Sequence, residues 1–229
     1  MQPFEQLPHI PALLLTIPQP TWVNRTERYS FSFITGALFA AESAALVPLL
    51  ARGQTWAEIE VAASRDNLLK SRTVASRTRL LREIKYRLGT LSAAEIKFLA
   101  SAAKPDQRTM FFLGICRHYA FVRQFVLTVL RPKVLALDAQ LMPSDFTGFM
   151  HEEAAEHDEI GALTDKSVAK IQQVLLRMLA EASLLDSSRS RVLTSVVPSQ
   201  ALARLVAKTD AKQLRWLLLA DSEIRHLTN

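Results

Sequence analysis

The sequence predicts an all-α, mainly helical protein, and three observations carry that prediction. Phe111, Phe112, Ile115, Tyr119, Val122, Phe125, Val126 and Val129 recur at steps of three and four, the period of a helix packed along one face. Thr55-Trp56-Ala57-Glu58 and Ser92-Ala93-Ala94-Glu95 both have capping-box spacing, in which a hydroxyl and a carboxylate three residues apart satisfy the first free backbone donors of a helix. Only Arg191 to Val197 is rich enough in β-branched residues for a strand. The class is refined to two helical lobes with helix-turn-helix-like elements and a short β wing beside the C-terminal lobe.

The elements follow in order. Residues 1–28 form an N-terminal arm whose Pro3, Pro8, Pro11, Pro18 and Pro20 forbid a helix, and the arm is expected to be dispensable for folding. The first lobe, 29–105, holds helices over 32–50, 56–65, 73–88 and 93–103. Thr55 opens the second of these, Ser71 or Thr73 can cap the third, and Ser92 opens the fourth. The second lobe, 106–229, starts with a helix from Arg108 to Leu130 that stops before Pro132. Asp138 to Leu163 then carries seven acids and no lysine or arginine, a segment expected to contact protein or shield nearby basic surface. Thr164 caps a helix over 165–182 with Val168, Ile171, Val174, Leu175, Met178 and Leu179 on its buried face. The strand at 191–197 after that helix gives a winged-helix pattern.

Composition bounds the function. At 229 residues, 49% hydrophobic and 22% charged, the chain has the balance of a globular protein with a sizeable core. Its sole cysteine, Cys116, lies in an apolar run, so cysteines supply neither a disulfide framework nor a metal cluster. A reducing cytoplasm fits. The best candidate membrane spans fail: 29–51 is interrupted by Glu42 and Pro48, and 110–130 holds Arg117, His118 and Arg123. Met1 to Trp22 lacks the basic start and unbroken apolar core of a signal peptide.

Charge is far from evenly spread. From Ser64 to Leu88, eight basic residues (Arg65, Lys70, Arg72, Arg77, Arg79, Arg82, Lys85, Arg87) meet two acids (Asp66, Glu83), a net +6 that equals the charge of the whole chain. A polyanion is the partner such asymmetry favours, although a charged helix face is also simply a solvated one. At 100° per residue, Arg72, Arg79 and Arg82 fall opposite Val74, Leu81, Ile84 and Leu88. Read as helix, turn and basic helix, the segment offers Thr73, Ser76 and Arg77 to base edges and Lys70, Arg72, Arg79 and Arg82 to phosphates. The turn of about six residues exceeds the usual three or four. In the second lobe, Lys166, Lys170, Gln173 and Arg177 share a stripe, and Arg189 follows as a further cation. Gln172 and Gln173 are the polar groups there suited to a base edge.

No catalytic constellation assembles. His151-Glu152-Glu153-Ala154-Ala155 begins like a zinc-protease helix, but alanine stands where the second histidine is required. His157 lies about 240° around a helix from His151, which prevents chelation from one face. The six glycines are isolated, so no phosphate loop or dinucleotide fingerprint exists. Neither Ser-x-x-Lys nor Gly-x-Ser-x-Gly is present, and His118, inside the core helix, reads as a hydrogen-bonded structural histidine. The expectation is a protein without catalytic residues, metal or cofactor.

Many short pieces in register resemble the BrxA family of bacteriophage exclusion (BREX) defence systems. They are Tyr29-Ser30-Phe31-Ser32-Phe33 with Gly36-Ala37-Leu38 and Glu42-Ser43, Asn67-Leu68-Leu69 with Arg72-Thr73, and Arg82-Glu83-Ile84 with Arg87-Leu88. Downstream come Cys116-Arg117-His118-Tyr119 with Phe121, Asp145-Phe146 before Phe149, and His157 preceding Leu163-Thr164. Gln173-Val174-Leu175, Arg177-Met178-Leu179 and Glu181-Ala182 complete the set, so the likeness spans Tyr29 to about Pro198. The chain departs from the family in its N-terminal extension and in Ser183, where a glycine often precedes the Leu-Leu pair. The resemblance implies a mostly helical protein that binds double-stranded DNA and works beside a methyltransferase, an ATPase and a phosphatase-like protein. The expected function is therefore that of a non-catalytic DNA-binding accessory protein of a BREX system. The competing readings are a protein-interaction adaptor and an RNA-binding helical bundle.

Overall fold

The computed structural model describes residues 27–229, so the Pro-rich arm lies outside the described residues except for its last two. A 3-10 turn over Ser32–Thr35 leads to α1 (Ala40–Ala51), α2 (Trp56–Arg65), α3 (Val74–Leu88) and α4 (Ala93–Leu99). Next come α5 (Lys104–His118), α6 (Ala120–Phe125), a π turn over Val126–Leu130 and α7 (Arg131–Leu135). The chain closes with α8 (Pro143–Ala154), α9 (Asp158–Gly161), α10 (Asp165–Glu181), α11 (Gln200–Asp210), a 3-10 stretch over Ala211–Leu217, and α12 (Asp221–Thr228). Both predicted capping boxes form: the Glu58 and Glu95 backbone N–H groups donate to the Thr55 and Ser92 hydroxyls at 3.3 Å, and each glutamate accepts the reciprocal bond.

One buried cluster runs from Tyr29 to Ile224, across the boundary expected at residue 105. Its axis is α5, where every side chain from Thr109 to Cys116 is buried. Enclosing a phenylalanine or leucine such as Phe112 or Leu113 contributes about 1.5–3 kcal/mol each. α10 buries the predicted Ile171, Val174, Leu175, Met178 and Leu179, with Leu176 added and Val168 half-buried. No helix among the described residues is long and apolar enough to cross a membrane.

Three predicted elements are corrected. The helix expected over 32–50 is interrupted at Gly36–Phe39: Phe39 takes φ 54°, and a Cβ on Gly36 would sit 2.0 Å from the Phe39 ring. The helix expected to stop before Pro132 instead breaks at Tyr119 (φ −109°, ψ 98°) and then continues to Leu135. Pro132 directly follows the π turn, where the regular i to i−4 ladder is already interrupted. The β wing does not form a strand; 191–197 contributes two isolated bridges, Gln140 to Val192 and Leu185 to Leu193, and Arg191 at φ 57° breaks the extended run.

Ser183 terminates α10 in the left-handed region, φ 64°. That is where a helix favours glycine, since a Cβ there meets the following carbonyl. Ser183→Gly is expected to stabilise the fold by about 1 kcal/mol. The check is the urea midpoint, which should rise with unchanged slope; a lower midpoint would contradict the account.

Candidate nucleic-acid interface

Both acids of the basic segment are used within it. Arg65 holds Asp66 through two bonds of 2.8 Å, and Arg87 holds Glu83 at 2.9 Å in the interior. Eight cations less those two leave six, Lys70, Arg72, Arg77, Arg79, Arg82 and Lys85, with no carboxylate partner among the described residues. Arg79, Arg82 and Lys85 stand exposed on the outer face of α3, while Leu81, Ile84 and Leu88 face the core. Val74, expected on the buried face, is 69% exposed, because the first turn of α3 projects beyond the elements packed against it.

Residues 66–73, eight in all, join α2 to α3, longer than a helix-turn-helix turn. Asn67 and Lys70 both take positive φ, and the Asn67 side chain accepts the Ser71 N–H at 3.0 Å. Two of the three candidates for base contact serve this joint. Thr73 caps α3 by accepting the Ser76 N–H at 3.1 Å, and half-buried Arg77 donates to the Ser64 carbonyl at 3.2 Å, tying the end of α2 to α3. The Ser76 side chain is exposed.

What orients α3 lies on its inner face. Arg87 donates to Glu83 and to the carbonyls of Ala37 and Gly36, and its guanidinium lies 5.0 Å from the Phe39 ring centre. Glu83 also accepts from the Tyr119 hydroxyl and, at 3.2 Å, from Ser32. Burial, then the bond to Glu83, pushes the Tyr119 phenol up, so it stays a donor. The break between α5 and α6 thus delivers Tyr119 to this network. His118 beside it stacks on Tyr86, ring centres 5.2 Å apart, and burial lowers its pKa. The predicted structural histidine is therefore held by a ring stack.

On α10, Lys166, Lys170, Gln173 and Arg177 are exposed along one stripe and Gln172 is half-buried. Lys170 donates to Gln173 at 3.1 Å, and Arg177 meets Glu181 at 2.8 Å. Arg189 is exposed in the turn beyond α10. Four of the sequence candidates, Thr73, Ser76, Arg79 and Arg177, are brought to two neighbouring grooves. Arg79 lines a groove of about 230 Å³ with Thr35, Phe39, Thr73 and Ser76, and Arg177 lines one of about 500 Å³ with Thr35, Phe39, Glu42 and Arg108. Lys166, Lys170 and Arg189 line neither. Arg108 escaped the sequence reading, because a single arginine near the start of an apolar helix gives no local sign that it will meet α10.

The histidines are separated by the fold. His151 is exposed on α8, whereas His157 is buried, stacked on Tyr29 at 3.8 Å and flanked by Glu153 and Glu159. Among the described residues, no three His, Cys, Asp or Glu side chains are placed to hold a metal. Cys116 is fully buried, which pushes its thiol up.

Fold and site together define an all-helical protein with six cations on and just before α3 that have no carboxylate partner among the described residues. A family model described as BrxA matches residues 27–210, and the chain belongs to the BrxA family. "BREX protein BrxA" of Escherichia coli O9:H4 (strain HS) is 26% identical over 177 residues, 76% of this chain and 82% of that protein. The crystal structure of an uncharacterized protein from Magnetospirillum magneticum shares the fold, with a TM-score of 0.72 at 18% identity over 84% of this chain and 98% of that one.

Removing Arg87 should leave Glu83 as an uncompensated buried charge. Arg87→Met is expected to destabilise by about 3–5 kcal/mol, and adding Glu83→Gln to recover more than about 1 kcal/mol of that. Denaturant unfolding of the wild type, both single variants and the double variant completes the cycle. Equal losses in Arg87→Met and the double variant would show that the Glu83 charge is not the penalty.

Proposed function

We propose that this chain is the non-catalytic, DNA-binding component of a BREX defence system, acting in the cytoplasm beside the other BREX components. Membership of the BrxA family supports the BREX assignment. The observation that carries DNA binding is the internal pairing of Asp66 and Glu83, which leaves six cations without a carboxylate partner around α3. Arg72, Arg79, Arg82 and Lys70 meet phosphates and fix register. Thr73 and Arg77 are engaged within the fold, so few groups remain for base edges and sequence preference is weak. The methyltransferase, ATPase and phosphatase-like protein of the system are its protein partners.

A role in protein contact is favoured beside this one by exposed apolar side chains around the Gln140–Val192 bridge. Leu137 is 93% exposed and Met142 50%.

Changing Arg72, Arg79 and Arg82 together to glutamine should weaken duplex binding while leaving the fold intact. With one phosphate neutralised per arginine, the log-log salt slope becomes shallower by about 0.9 for each, about 2 to 3 in all. Titration of a labelled duplex over a salt series measures both quantities. Unchanged affinity and slope in the folded variant would remove α3 from the DNA interface; loss of a partner protein in a pull-down instead would favour the adaptor.

Binding without catalysis is the expected mechanism, and metal-dependent turnover abolished by His151→Ala or His157→Ala would overturn it.

A further inference from the structure

The grooves beside Arg79 and beside Arg177 adjoin, because Thr35 and Phe39 line both. The 3-10 turn that ends at Thr35 packs against both α3 and α10, so the Thr35–Phe39 loop forms a saddle between the two helices. Arg79 stands on one side of the saddle, Arg108 and Arg177 on the other. Two carboxylates line the groove beside Arg177. Glu181 is fully engaged, one oxygen taking Arg177 and the other the Leu38 N–H, each at 2.8 Å. Glu42, in the first turn of α1, has no hydrogen-bond or ion-pair partner among the described residues.

We infer that these two adjoining grooves form a single track for one phosphodiester strand of duplex DNA, followed by Arg79, Arg108 and Arg177, and that Glu42 restrains its affinity. The inference rests on the DNA-binding reading and extends it: α3 and α10 serve one interface, not two sites that bridge separate duplexes. Three guanidiniums around a walled groove suit a continuous line of phosphates, one for every 3.4 Å of helix axis per strand. Arg177 spends only its Nε on Glu181, which leaves its two terminal nitrogens as donors for a phosphate. An unpaired carboxylate facing the same strand opposes binding and does nothing for the fold beyond sitting at a helix N-terminus.

The test uses the full chain and a duplex of about 15 base pairs, about 50 Å long, titrated over a salt series. Glu42→Gln should tighten binding by about 3- to 10-fold, the effect of one like charge near a phosphate. Arg108→Gln should make the salt slope shallower by about 0.9, and Arg108→Gln with Arg177→Gln by about 1.8, at unchanged one-to-one stoichiometry. Arg108→Gln breaks no ion pair, so it keeps the test valid if the double variant folds poorly. If these variants bind like the wild type while the α3 triple variant loses affinity, the track is wrong and the DNA reading survives. If the wild type shows no salt-dependent duplex binding, both fall together.

Discussion

Two opposite charges four residues apart on the inner face of α3 are taken entirely out of water, and such a pair is stable only when every remaining lone pair and proton finds a partner. Glu83 and Arg87 meet that demand from two other parts of the chain. Ser32 and the carbonyls of Gly36 and Ala37 come from the loop before α1, and Tyr119 from the break between α5 and α6. The consequences are geometric. The loop cannot continue as helix, Tyr119 must leave the axis of α5, and α3 is fixed in rotation with Arg79, Arg82 and Lys85 outward. Most of the short pieces that resemble the BrxA family in the first half of the chain surround this network, which explains why a likeness without any catalytic signature nonetheless specifies the fold.

Local information made much of this legible from the sequence. α2, α3 and α10 fall within a residue of their predicted bounds, because their starts are marked by Thr55, Thr73 and Thr164 and their inner faces by apolar period. What was not legible is what tertiary contacts decide. Tyr119 has good helical neighbours on both sides, and the partners of its hydroxyl, Glu83 and Ser32, are distant in sequence. Arg87 looks like one more cation of a basic helix until its carboxylate and carbonyl partners arrive from elsewhere. Val74 follows the apolar stripe but lies beyond the end of the packing, and Arg108 meets Arg177 only because α5 and α10 come together at the Thr35–Phe39 loop, beside the groove that Arg79 lines.

The acidic segment illustrates the same sorting of charge. Asp138 and Asp145 pair with Lys133 at 2.6 and 3.1 Å, and Glu153 and Glu159 receive the Tyr29 hydroxyl and N–H. Elsewhere, burial works against ionisation of Glu95, yet the Arg117 bridge and the bonds from Ser92 hold its carboxyl below the ordinary range. Many acids are thus committed to the chain's own cations or donors. The cations around α3 are not, and the near-cancellation of charge outside that helix therefore leaves its field intact.

That division constrains how the protein could read DNA. Sequence discrimination needs donors and acceptors free to reach base edges; at the start of α3, Thr73 closes the helix cap and Arg77 ties α2 to α3. The free groups are long cations, whose contacts to phosphate position a protein without identifying a sequence. Were duplex DNA its ligand, as proposed, a component with this surface would hold it wherever salt permits, and selection of a particular site would then belong to whatever it assembles with.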